Sequence, residues 1–197
     1  MIGSMLFVKK PAECYEIIRS LSEMFRYVIR DPDDLARVKS EMDHLNHYMH
    51  IQQQRFGAKL KYTLEFDESL LDCPIPKLTL QPIVENAFIH GLDMKSGQWH
   101  VQVKVYAEQE AVCIHIRDNG VGMDTDKLIE LRRRLDNSGR AIWTRGSSIG
   151  IQNVATRIRM HFGLAYGVTV ESRQDLGTAV TVRIPVKLEE ENNEPNH

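Results

Sequence analysis

Apolar residues recur at three- and four-residue steps over positions 12–29 (Ile17, Ile18, Leu21, Met24, Phe25, Val28), which predicts an amphipathic helix. DPDD at 31–34 breaks it and offers a cap. Leu35, Val38, Met42, Leu45, Tyr48 and Met49 then predict a second helix over 35–56. Two helices with little else resemble a hairpin or docking element, so residues 1–56 are set apart as a helical segment. Past Gly57 the period shortens to two. Leu60, Tyr62, Leu64 and Phe66 predict a strand over 59–66; CPIP at 73–76 punctuates; LQPIVENAFIHG at 80–91 returns to a helical period. HVQVKVYA (100–107) and AVCIHIRD (111–118) predict strands joined by a short turn. A polar, glycine-containing region, 124–148, holds a short helix over 126–135. A longer helix over 149–162 aligns Ile151, Val154, Ala155, Ile158 and Phe162, and VTVES (168–172) with AVTVRIP (179–185) closes as a hairpin. The expected fold class is α+β, with a mixed sheet of about five strands in residues 57–187 and a charged, disordered tail at 188–197.

Net charge is −2, with 42% hydrophobic and 26% charged residues, so neither a nucleic-acid surface nor a membrane-binding polybasic patch is expected. The three cysteines (Cys14, Cys73, Cys113) have no CxxC spacing and read as reduced thiols of a cytosolic compartment. No apolar run approaches the ~18–20 residues of a membrane span.

Candidate chemistry sits in four stretches. On a helical wheel with Asn86 as origin, Leu80, Ile83, Val84, Ala87 and Phe88 fill the core side at about 60° to 200°. Pro82, Ile89, His90 and Asp93 cluster around Asn86, and Glu85 lies about 100° away. Taken alone, this is also a solvated helix face. In AVCIHIRDNGVGM, Val112, Ile114, Ile116 and Asp118 share one strand face. A carboxylate in an apolar row is costly unless hydrogen-bonded, and a purine's exocyclic amino group is a suitable donor. Gly120 and Gly122 would let the backbone turn and approach a flat ring; an ordinary Asp-Asn-Gly turn is the other reading. In RGSSIGIQNVATRI, Gly146, Ser147, Ser148 and Gly150 run into a helix whose first amides suit a phosphate, or whose serine is a plain cap. Gly177-Thr178 opens the last strand.

In this order the four stretches resemble the GHKL ATP-binding fold, and within it the ATP-binding domain of two-component sensor histidine kinases. The subgroup resembled carries YxxIQxxRF ahead of the N box, matched by Tyr48, Ile51, Gln52, Arg55 and Phe56. The resemblance implies a two-layer α/β sandwich preceded by helices, binding ATP and Mg²⁺. Asn86 matches the asparagine that ligates Mg²⁺, and Glu85 the acidic neighbour that assists or orients the accepting histidine. Asp118 matches the aspartate that reads adenine N6, with Gly120 and Gly122 beneath the ring. Gly146, Ser147, Ser148 and Gly150 match the phosphate-binding loop, and Thr178 the threonine that supports the adenine pocket.

The chain departs from the pattern in places. Ser148 stands where a glycine is usual. Ile89 stands where many such kinases carry a basic residue, which leaves His90, Arg145 or Arg157 to meet phosphate charge. The Pro-His-Phe segment that carries the phosphorylated histidine in this subgroup is missing from the sequence, so the chain reads as a fragment that binds ATP without labelling itself. In the complete protein the resemblance implies a membrane-anchored homodimer, joined through the N-terminal helices, that passes phosphate to a response regulator. The alternative is a GHKL ATPase or an anti-sigma serine kinase. Those place a base glutamate four residues before the asparagine, where this chain has Pro82.

Overall fold

Strand alternation decides the architecture. The computed structural model describes residues 11–29, 35–136 and 149–187. The elements run α1 (Pro11–Ile29), β1 (Leu35–Arg37), α2 (Val38–Phe56), β2 (Leu60–Phe66), β3 (Pro74–Pro76), α3 (Leu80–Asn86), β4 (Trp99–Glu108) and β5 (Ala111–Asp118). They continue through α4 (Thr125–Asp136), α5 (Ile149–Phe162), β6 (Gly167–Arg173) and β7 (Gly177–Pro185). The main sheet has the order β2-β4-β5-β7-β6. β2 lies parallel to β4 and the other pairs are antiparallel, so the sheet is mixed.

Along β4, Trp99, Val101, Val103 and Val105 are buried, while His100, Gln102, Lys104 and Tyr106 are not. The register places Val105 opposite Ile114, Val103 opposite Ile116 and Val101 opposite Asp118. One sheet face is therefore apolar, and α2, α3, α4 and α5 cover it in a single core. This is the two-layer α+β architecture the sequence leads one to expect, at the strand count expected.

The N-terminal region differs in detail. The helix expected from residue 35 starts at Val38, because Leu35–Arg37 instead pairs antiparallel with Pro74–Pro76, the CPIP punctuation. The first amides of α2 are satisfied from the same direction, Val38 N by Cys73 O at 2.9 Å and Lys39 N by Leu71 O at 2.8 Å. Val38, Met42, Leu45 and Met49 of α2 then join the core of the sheet. By contrast α1 leaves Tyr15, Ile18, Phe25, Val28 and Ile29 exposed. No described helix is long and apolar enough to cross a membrane. The DPDD cap and the tail at 188–197 lie outside the described residues.

Candidate functional site

Helix α3 begins at a cap that its own sequence does not supply. Thr79, at the N-cap, spends its hydroxyl on Pro76 O at 2.6 Å and makes no side-chain capping bond. Glu41, on α2 and fully buried, takes that role. Its carboxylate accepts from Leu78 N (2.7 Å), Thr79 N (2.8 Å), Leu80 N (3.0 Å) and the Tyr27 hydroxyl (2.5 Å). A buried carboxylate is tolerable when hydrogen bonds surround it and a helix N-terminus faces it. On the apolar side of α3, Phe88 meets Phe56 at 5.9 Å, Tyr48 at 6.1 Å and Trp99 at 6.3 Å between ring centroids. Tyr48 and Phe56 of the YxxIQxxRF stretch thus brace the helix that carries Glu85 and Asn86.

At Asn86 the helix changes pitch. Residues Ala87–Leu92 form a π-helical turn, and Asp93 N bonds to Phe88 O at 3.0 Å, five residues back. The faces assigned by an α-helical wheel survive this change: Ile89, His90 and Asp93, beside Asn86 on the wheel, are exposed, and Gly91 is buried. π turns recur at functional sites. Here the wider turn leaves the Gly91 carbonyl to accept from Val121 N at 3.0 Å, a bond into the DNGVG loop. The Asn86 amide nitrogen donates to Pro82 O at 2.8 Å, so the amide oxygen is the atom the side chain can offer a ligand.

Asp118 ends β5 on the buried face, 5% exposed. Burial pushes its carboxyl up to about 6, opposed by backbone hydrogen bonds from Gly120 and Thr178 and by the charges of Lys95 and Arg117. The Gly120 bond is 2.7 Å. A β-carbon on Gly120 would fall 2.5 Å from the Gly91 backbone, and one on Gly91 3.0 Å from Asp118 Oδ1. The room these glycines leave is therefore filled by protein: the end of the Asn86 helix rests directly on Asp118.

The loop's other side leans on the last hairpin. Gly122 has φ +65°, and a β-carbon there would lie 2.0 Å from Arg173 O. Met123 N donates to Ser172 Oγ at 2.9 Å, and that hydroxyl meets Thr178 Oγ1 at 2.9 Å. Gly177, at φ +98°, passes so close to Asp118 O that a β-carbon would sit 2.1 Å away. Lys95 donates to Asn119 O, adding a cation beside the loop.

Gly150, in the first turn of α5, faces the amide: its missing β-carbon would stand 3.3 Å from Asn86 Nδ2. Asp118, Gly120, Gly122 and Thr178 are thus joined through Gly177 and Ser172, Asn86 meets Gly150, and the π turn that ends at Leu92 links the two groups. Arg145, Gly146, Ser147 and Ser148 lie outside the described residues, as does the rest of 137–148, the second half of the polar region expected at 124–148. Sequence patterns gave no hint of Glu41, Gly91 or Ser172.

For a hard cation the offered atom has the right chemistry, since Mg²⁺ takes oxygen donors and keeps few protein ligands when phosphates contribute. Among the described residues no group of three or more His, Cys, Asp or Glu could hold a metal. A cation here would depend on Asn86 and on a phosphate-bearing ligand.

Comparison with known proteins points the same way. Residues 75–188 match the family described as histidine kinase-, DNA gyrase B-, and HSP90-like ATPase, and residues 1–60 match the histidine kinase family. The chain is 34% identical to sensor histidine kinase YesM of Bacillus subtilis over 88% of its own length and 28% of that protein's. It is 34% identical to sensor histidine kinase YpdA of Escherichia coli, over 89% and 29%. It thus spans about three-tenths of the length of these two curated relatives. Among solved structures, the catalytic domain of histidine kinase ThkA overlays with a TM-score of 0.56 at 13% identity, over 79% of this chain and 97% of that one. At that identity the overlay speaks for the fold alone.

Proposed function

The chain belongs to the histidine kinase-, DNA gyrase B- and HSP90-like ATPase family, and from that premise we propose that it is the ATP-binding catalytic part of a sensor histidine kinase. The observation that carries the proposal is the Gly91–Val121 backbone bond, which joins the helix of Asn86 to the loop of Asp118. A ligand engaging both needs a hydrogen-bond donor for Asp118 and an oxyanion to share a cation with Asn86. Mg·ATP has that form.

In this reading Asp118 accepts a hydrogen bond from the adenine amino group, and Thr178, through Ser172 and its backbone bond to Asp118, holds that carboxylate in place. Asn86 offers its amide oxygen to the metal. Mg²⁺, when bound, neutralises triphosphate charge and orients the γ-phosphoryl group. Gly146, Ser147, Ser148, Gly150 and His90 attend the phosphates. Glu85 orients the attacking imidazole or takes its proton, and the phosphoryl group passes from that histidine to a response-regulator aspartate. Such transfers depend chiefly on positioning and charge neutralisation. The exposed apolar residues of α1 (Tyr15, Ile18, Phe25, Val28) support pairing with a second copy through the N-terminal helices.

Calorimetric titration tests the reading. ATP with Mg²⁺ should bind at least about tenfold more tightly than GTP, whose O6 cannot donate to Asp118. EDTA should weaken ATP binding. Equal affinity for ATP and GTP would refute the adenine role of Asp118.

A further inference from the structure

The hydrogen bonds behind Glu85 form a line with one direction. Gln81 and Glu85 are one helical turn apart on α3, and Gln81 Nε2 donates to Glu85 Oε1 at 2.7 Å. An ionised carboxylate only accepts, so the Gln81 amide has its nitrogen toward Glu85 and its oxygen pointing back. That oxygen, Gln81 Oε1, lies 2.5 Å from His44 Nε2 on α2. Since an amide oxygen also only accepts, His44 must carry its proton on Nε2. The other ring nitrogen fits: Nδ1 is buried and has no hydrogen-bond partner among the described residues. A proton there would be an unpaired buried donor, and a bare lone pair costs less. His44 is 3% exposed and packs against Tyr27, the rings tilted at 33° with centroids 4.5 Å apart, so the ring is held in one orientation. Glu41, one turn earlier on α2, fixes the start of α3 from the same side.

We propose that Gln81 is a positioning residue for Glu85, itself oriented by the Nε2–H tautomer of His44. The inference rests on the catalytic reading of Glu85 given above. Gln81 touches no reacting atom. It restricts the Glu85 side chain to one rotamer and commits one carboxylate oxygen, which leaves the second for the attacking imidazole. The ordering comes from α2, through the His44–Gln81 bond, and it acts on the Glu85 side chain itself, whereas Glu41, Tyr48 and Phe56 of α2 hold the helix as a whole.

The test is autophosphorylation kinetics in the full-length kinase, with Gln81→Leu, Glu85→Gln and wild type compared. Gln81→Leu should lower kcat about tenfold, the scale of losing orientation while keeping the group, with KM for ATP within about twofold. Glu85→Gln should lower kcat at least as much. If Glu85→Gln lowers kcat and Gln81→Leu does not, the inference is overturned and the catalytic reading stands. If Glu85→Gln leaves kcat unchanged, both fall. Should Gln81→Leu fail to fold, long-range ¹H–¹⁵N spectra of wild type decide: His44 should be the neutral Nε2–H tautomer, and an Nδ1–H ring would overturn the relay.

Discussion

Replacing Asp118 with asparagine removes a buried charge while keeping the side chain's shape, so its effects on stability and on nucleotide affinity should run in opposite directions. In the folded chain the carboxyl titrates at about 6 rather than its ordinary 3.8, with burial the largest cause. Between those values the folded state holds a proton that the unfolded state has released. Stability linked to this group is therefore fully present below about 3.8 and is lost as pH rises through about 6. At about 1.36 kcal/mol per pKa unit, the loss totals about 3 kcal/mol, of which about 1.4 kcal/mol falls between pH 5 and pH 8. The substituted amide would carry no such penalty, but it exchanges a charged acceptor of the Gly120 and Thr178 amides for a weaker one, at about 1 kcal/mol. Asp118→Asn should thus gain about 1–2 kcal/mol at pH 8, with the advantage shrinking by about 1.4 kcal/mol at pH 5. Urea denaturation at the two pH values measures this. Adenine affinity should fall by about 1–3 kcal/mol, roughly 5- to 150-fold, because an amide nitrogen cannot accept from the adenine amino group. A variant whose stability gap from wild type ignores pH would refute the buried-charge argument. One that binds ATP as tightly as wild type would refute the adenine contact.

Other substitutions probe the rest of the site. Asn86→Ala should abolish the Mg²⁺ dependence of ATP binding, and an affinity still sensitive to EDTA would exclude Asn86 as the metal's ligand. Glu41→Ala strands three amides at the start of α3, two of them buried, and should cost about 3 kcal/mol in urea denaturation; a loss under about 1 kcal/mol would show that α3 does not need this cap. Gly122→Ala should destabilise far more than Gly97→Ala. Both have positive φ, but only Gly122 has a backbone carbonyl 2.0 Å from the added carbon, while Gly97 has nothing within 4 Å. Equal melting temperatures for the two variants would contradict the packing described for the DNGVG loop.

What could be read from the sequence followed the strength of each periodic signal. The two-residue period of β5 placed Asp118 on the buried face, and the helical spacing of Ile151, Val154, Ala155 and Ile158 located α5 at Ile149–Phe162. Features without a period stayed hidden. β1 and β3 are three residues each, and β3 begins and ends with proline, so neither alternates long enough to register. The π turn after Asn86 leaves no spacing rule, because apolar Phe88 and Leu92 fit an α-helix equally well. Glu41 carries no local signal, since the amides it caps lie 37 to 39 residues downstream, a separation no local pattern reports. The glycines were legible as sites of close approach but not in what approaches. A β-carbon on Gly120 would meet Gly91 and one on Gly122 would meet Arg173, both far away in sequence.

A structure of the chain with a non-hydrolysable ATP analogue and Mg²⁺ tests the central claim most directly. The account predicts the adenine amino group within hydrogen-bond distance of the Asp118 carboxylate and the cation on Asn86 Oδ1, with one nucleotide reaching both. A nucleotide bound elsewhere, or one that engages either residue without the other, would contradict it.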